Sequence, residues 1–183
     1  MGFERIASEE IWQGHIGGVR IDTFRYEDGE EATREIVTHP GAVTVLPFDP
    51  PSRGVGGGHV WLVRQPREPV GEQALLELPA GKIDVEGEDL LETAKRELAE
   101  EIGMGARAWR HLVSFYNSPG LLSEENHLFL AEGLYEQSAD SGEEERIEIV
   151  QLPVADLDAT IPTLKDAKTL IGLLWLRSFV LGS

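Results

Sequence analysis

Apolar and polar residues alternate through residues 11–39, IWQGHIGGVRIDTFRYEDGEEATREIVTH, with turn chemistry at Gly17-Gly18 and Asp28-Gly29. This period of two predicts two or three antiparallel strands within residues 1–38. A sheet that small is marginal alone and needs a surface to pack on. His39-Pro40-Gly41 interrupts the pattern, and the strand-like AVTVLPF follows. DPPSRGVGGG (49–58) reads as a hairpin loop ahead of a second strand, HVWLVRQ, and ALLELPAG reads as a short strand ending at Gly81. The period then changes. Leu91, Ala94, Leu98 and Ile102 recur at spacings of three and four, which predicts an amphipathic helix over 89–102. Glu88 and Asp89 stand at its start and Gly103 at its stop, as the helix dipole and capping require. Strand signals return at WRHLVSFYN, HLFLAEGLY and IEIVQLP, and the stripe from Leu164 to Leu181 predicts a closing helix. Short strands with two helices imply an α+β fold with the sheet sandwiched by helices.

Length and composition narrow the chemistry. The chain has 183 residues, enough for one full domain with a small appendage. Cysteine is absent, which excludes disulfides, zinc–thiolate centres and cysteine nucleophiles. No long uncharged apolar run is present, and acids stand where a signal peptide would be apolar, so a cytoplasmic location is expected. Asp and Glu number 33 against 16 Lys and Arg, a net charge of −17. Such a chain repels nucleic-acid backbones and anionic membranes, so neither is expected as a partner. Any phosphate it handles needs a local arginine cluster or a divalent metal.

The informative stretch is Arg96-Glu97-Leu98-Ala99-Glu100-Glu101-Ile102-Gly103. On a helix, positions 97, 100 and 101 lie at roughly 0°, −60° and +40°, so three acids share one face beside the apolar stripe. Three acids on one face repel one another. A hard divalent cation would relieve that repulsion through oxygen ligands; on spacing alone a solvated acidic helix face is the commoner reading. Arg96 is placed to orient a carboxylate by a bidentate pair.

GKIDVEGEDLLETAKRELAEEIGM resembles the Nudix box: glycine, five residues, glutamate, seven residues, then R-E-U-x-E-E-x-G-U, with U a bulky aliphatic residue. Glu88, Arg96, Glu97, Leu98, Glu100, Glu101, Gly103 and Met104 all match. One departure is that six residues, not five, separate Gly81 from Glu88. The insertion precedes the helix and leaves the carboxylate spacing intact. The flanking LLELPAG and SFYNSPGLLSEENHLFLAEGL, with Pro119 fifteen residues past Met104, resemble the ADP-ribose pyrophosphatase subfamily.

The resemblance implies a Nudix fold, an α/β/α sandwich with a mixed sheet, over residues 39–183. It also implies a dimerising, substrate-contacting antiparallel sheet over 1–38. It implies a homodimer that hydrolyses ADP-ribose to AMP and ribose 5-phosphate with Mg²⁺ or Mn²⁺, more than one ion per site. Glu97, Glu100, Glu101 and the Ala80 carbonyl are the implied metal ligands. Arg96 and Glu100 belong to the catalytic set, and Glu145, then Glu144, are the implied bases for the attacking water. Arg67 is the implied diphosphate contact. Arg34, Glu35, Trp12, Pro119 and Gly120 are the implied contacts to the rest of a small nucleoside diphosphate derivative. GDP-mannose or another nucleotide sugar is the alternative substrate, and a non-catalytic ADP-ribose sensor the alternative of another class.

Overall fold

The computed structural model describes residues 2–50, 57–138 and 146–182. The chain divides into two compact units, one of Met1–Ala42 with Phe115–Asn126, the other of Val43–Ser114 with His127–Ser183.

The first unit is an antiparallel sheet in the order β1 (Phe3–Gln13), β2 (Gly18–Tyr26), β3 (Glu31–Thr38). Gly29, at φ 86°, makes the β2–β3 turn, where the Asp28 side chain accepts from the Glu30 N–H at 3.0 Å. At the β1–β2 turn a Cβ on Gly17 would fall 1.9 Å from the Thr38 carbonyl oxygen, so only glycine fits that approach. Residues 118–123 dock on β3: the Val37 N–H donates to the Leu121 carbonyl (2.8 Å) and the Ser123 N–H to the Val37 carbonyl (2.9 Å). Asp22 is buried in this small sheet. It accepts from Ser8 Oγ at 2.6 Å and pairs with Arg5 and Arg20.

The second unit is built on β4 (Ala42–Asp49), β5 (His59–Arg67), β6 (Glu72–Glu77), β7 (Ala80–Lys82), β8 (Met104–Tyr116), β9 (Glu125–Glu136) and β10 (Glu148–Pro153). The main order is β10-β5-β4-β9-β8, with β6 on β5 and β7 on β4. Helices cover the sheet on both faces. Val43 and Val45 of β4, Val63 of β5 and Phe129 and Ala131 of β9 form one core with Ala94, Leu98 and Ile102 of α1 (Leu90–Ile102). After the short α2 (Leu157–Thr160), α3 (Ala167–Trp175) packs through Gly172, where a Cβ would fall 2.4 Å from Leu78 Cδ1. Strand β4 is buried along nearly its whole length, as expected between two helical layers.

Helix α1 begins where the sequence predicts. Asp89 caps it by accepting from the Leu91 N–H at 2.9 Å, and Gly103, at φ 70°, ends it. Two elements differ in detail. ALLELPAG forms two strands rather than one, because Pro79 has no N–H for the ladder and its carbonyl instead accepts from Val45 N–H. The closing helix is regular only from Ala167, where Asp166 caps it, and beyond Trp175 it widens into π-type turns to Val180.

Candidate active site

Helix α1 carries Arg96, Glu97, Glu100 and Glu101 over one turn and a half, beside the backbone of β7. Glu101 accepts from the Ala80 N–H at 3.2 Å. The Glu97 carboxylate lies against Gly81, where a Cβ would fall 1.8 Å from its Cδ. The absence of that Cβ makes room for the acid. Glu97 and Glu101 are therefore brought to the Ala80–Gly81 turn, while Glu100 pairs with Arg96.

Arg96 sits among four acids: Glu97 at 2.7 Å, Glu100 at 3.1 Å, Asp84 at 3.4 Å and Glu88 at 3.5 Å. Glu88 also accepts from the Thr93 hydroxyl at 2.9 Å, so it ties the start of the helix to Arg96. The inserted loop turns at Gly87 (φ 79°) and leaves Asp84 in reach of the same guanidinium. Burial lowers the Arg96 pKa less than Glu97, Glu100 and Glu88 raise it, so the cation is held firmly. Burial pushes the Glu97 carboxyl up to about 7; Arg96 opposes the shift and Glu100 adds to it.

One guanidinium does not neutralise this many carboxylates. Among the described residues no three acidic or imidazole side chains are gathered closely enough to hold a metal ion as they stand. The donor set still fits one. It is all oxygen, it includes a buried carboxylate whose charge is disfavoured, and glycine keeps the approach open.

Arg67 of β5 grips the buried Glu77 of β6 with two bonds, Nε to Oε1 at 2.6 Å and Nη2 to Oε2 at 2.9 Å. Lys168 of α3 reaches the same carboxylate at 3.5 Å and Asp166 at 2.6 Å. The Glu77 pairing raises the Arg67 pKa against the opposing effect of burial, and Glu101 contributes to the rise, so Arg67 stands within the field of the carboxylate helix. Sequence reasoning passed over Glu77 and Lys168, since a glutamate in an apolar strand carries no local signal of its partner.

A cavity of about 380 Å³ lies wholly within the first unit. Arg34 and Glu35 of β3 line it with Pro119 and Gly120, so four of the expected substrate contacts share one space. Phe3, Phe24 and Tyr26 supply its aromatic wall. Phe3 meets Phe24 edge-on at 5.4 Å, and the Tyr26 hydroxyl accepts from Arg34 at 3.2 Å. Trp12 lies outside it, 61% exposed, with its ring over Gly14. Of the two aromatics the sequence offers for stacking, Trp12 and Phe24, the cavity takes Phe24, and alternation puts Tyr26 on the same face of β2. Phe3 became visible only through the β1–β2 register, which sets it opposite Tyr26. Glu144 and Glu145 lie outside the described residues.

The NUDIX domain family matches residues 38–171. The chain is 35% identical over 176 residues to an ADP-ribose pyrophosphatase of Bacillus subtilis (strain 168), covering 94% of this chain and 91% of that protein. It is 35% identical over 179 residues to a methanol dehydrogenase activator of Bacillus methanolicus, with the same coverage of 94% and 91%. In fold it is similar to a crystal structure of an ADP compounds hydrolase, at a TM-score of 0.82 and 24% identity over 100% of this chain and 96% of the other.

Proposed function

The chain belongs to the NUDIX family, and on that premise we propose that it is a pyrophosphohydrolase that splits ADP-ribose into AMP and ribose 5-phosphate. The observation that carries the reading is the carboxylate turn of α1 packed against the Ala80–Gly81 backbone. Glu97, Glu100, Glu101 and the Ala80 carbonyl would hold Mg²⁺ or Mn²⁺, more than one ion per site. A metal held there would supply neutralisation of pyrophosphate charge and a lowered pKa for bound water.

The chain's own residues do the rest. Arg96 holds the carboxylates of Glu97 and Glu100 in place for that donor set. Glu77 occupies Nε and Nη2 of Arg67, which orients the guanidinium and directs Nη1 to a substrate phosphate. The cavity of the first unit takes the nucleoside end: a base stacks on its aromatic wall while Arg34 and Glu35 bind polar edges. Glu145, or Glu144 beside it, takes the proton of the attacking water. Residues 1–38 form the dimerising part of a cytoplasmic homodimer and residues 39–183 the hydrolase domain. Among the described residues no helix is long and apolar enough to cross a membrane.

Product analysis tests this. ADP-ribose, GDP-mannose and NADH are incubated in parallel with Mg²⁺ and with chelator. AMP and ribose 5-phosphate formed fastest from ADP-ribose, and only with metal, is the expected result. Preference for GDP-mannose keeps the carboxylate helix and overturns the nucleoside assignment. Binding of ADP-ribose without turnover makes the protein a sensor.

A further inference from the structure

Two histidines on neighbouring strands of the sheet converge on one hydroxyl. His111 Nε2 of β8 lies 3.0 Å from Ser114 Oγ, and His127 Nδ1 of β9 lies 2.7 Å from the same oxygen. The two rings stand 6.2 Å apart, centroid to centroid. His111 is braced edge-on against Phe129 at 5.2 Å, and Phe129 belongs to the core beneath α1. His111 and Ser114 are exposed, His127 is half-buried, and β8 is an edge strand, so ions in solution reach the group. Neither the NUDIX box nor the nucleoside cavity uses any of the three.

The hydrogen-bond balance shows what this point can accept. A serine hydroxyl has one proton to donate, and a neutral imidazole presents one N–H and one lone pair. If Ser114 donates to one ring, that ring aims a lone pair at the shared point, and tautomer exchange turns the lone pair of the other ring toward the same place. We propose that His111 Nε2 and His127 Nδ1 form a binding site for an imidazole-preferring divalent transition-metal ion such as Zn²⁺, which takes over the position now bridged by the Ser114 hydroxyl.

Donor chemistry sets this site apart from the acidic one. Imidazole suits Zn²⁺, Cu²⁺ and Ni²⁺, whereas carboxylate and carbonyl oxygens suit Mg²⁺ and Mn²⁺. Zinc–imidazole bonds are about 2.0–2.1 Å long. The nitrogens now stand 2.7 and 3.0 Å from their common point, so each needs to close by less than about 1 Å, within the reach of side-chain rotation. The described residues bring two imidazoles to this point, fewer than the four ligands of a closed structural zinc site.

The test needs no turnover assay, so its outcome is separate from that of the proposed activity. The full chain, with Mg²⁺ in excess to occupy the oxygen donors, is titrated with Zn²⁺. The imidazole C–H resonances of its five histidines are followed by NMR, and stoichiometry by calorimetry. The expected result is that the signals of His111 and His127 move together at one ion per chain while the other three stay fixed. His111→Gln and His127→Gln should each weaken this binding by roughly tenfold or more. His111 is exposed, so its variant leaves the fold intact. Stationary His111 and His127 signals, movement of other histidines instead, or undiminished binding in the folded His111→Gln variant would overturn the assignment.

Discussion

Gly81→Ala isolates the contribution of one missing methyl group. The backbone at Gly81 does not have a positive φ, so alanine adds no conformational strain there. Its Cβ would lie 1.8 Å from Glu97 Cδ and 2.1 and 2.2 Å from the two carboxylate oxygens, where ordinary contact begins at 3.4 Å. The carboxylate must retreat by about 1.5 Å, since the helix and β7 are both packed and the side chain is the free member. The end of a glutamate moves cheaply, so stability should change by no more than about 1 kcal/mol. The 2.7 Å pairing with Arg96 and the place over residue 81 are lost together. A misplacement of about 1 Å near the reacting groups costs about 100-fold in rate, or ~2.7 kcal/mol of barrier. AMP release from ADP-ribose with saturating Mg²⁺ measures it, with circular dichroism as the folding control. A folded variant that keeps activity within about threefold of the native protein would refute the reasoning, because that loss is under ~1 kcal/mol.

Other perturbations separate electrostatics from packing. In chelator, Glu97 binds its proton up to about pH 7 in the fold, against an ordinary 4.5, because burial disfavours its charge. Native protein therefore holds a proton that the unfolded chain has released, and stability should fall as pH rises through that window, by about 2 kcal/mol after allowance for solvent screening. Urea titrations at about pH 5 and pH 8 measure the fall; Glu97→Gln should flatten the difference, and stability that rises with pH in this window would contradict it. Burial alone would raise the Asp22 carboxyl, but Ser8, Arg5 and Arg20 outweigh it and hold it below the usual value. Asp22→Ala should cost about 1–2 kcal/mol in denaturant unfolding by removing the acceptor shared by Ser8, Arg5 and Arg20, and the native pairing should weaken as pH falls through the carboxylate range. Removal of residues 1–38 should yield a monomer by light scattering with lost ADP-ribose binding; a stable active monomer would reject the shared-site dimer.

What the sequence determined by itself is what short-range geometry controls. A helix repeats every 3.6 residues, so Glu97, Glu100 and Glu101 had to share a face and Arg96 had to meet Glu100 one turn on, whatever the helix packs against. Asp89 and Gly103 end α1 through bonds to backbone groups at most four residues away. Strands β2 and β3 follow from alternation and the Asp28-Gly29 turn, whereas β1 begins at Phe3, ahead of the alternating stretch, and is held by its pairing with β2. Tertiary structure decided the partnerships between distant residues. Arg67 meets Glu77 through the β5–β6 pairing, which carries a register shift between Gln65 and Arg67 that no local pattern encodes. Phe3 joins the cavity wall because β1 pairs with β2 in one register, and a one-residue slip would turn it to the other face. Glu97 lies over Gly81 because α1 packs on the β4–β9 core at one depth. His111 and His127 converge because two strands, sixteen residues apart in sequence at those positions, run side by side. Such contacts depend on how whole elements dock, a nonlocal sum of burial and register to which each residue contributes only a small part.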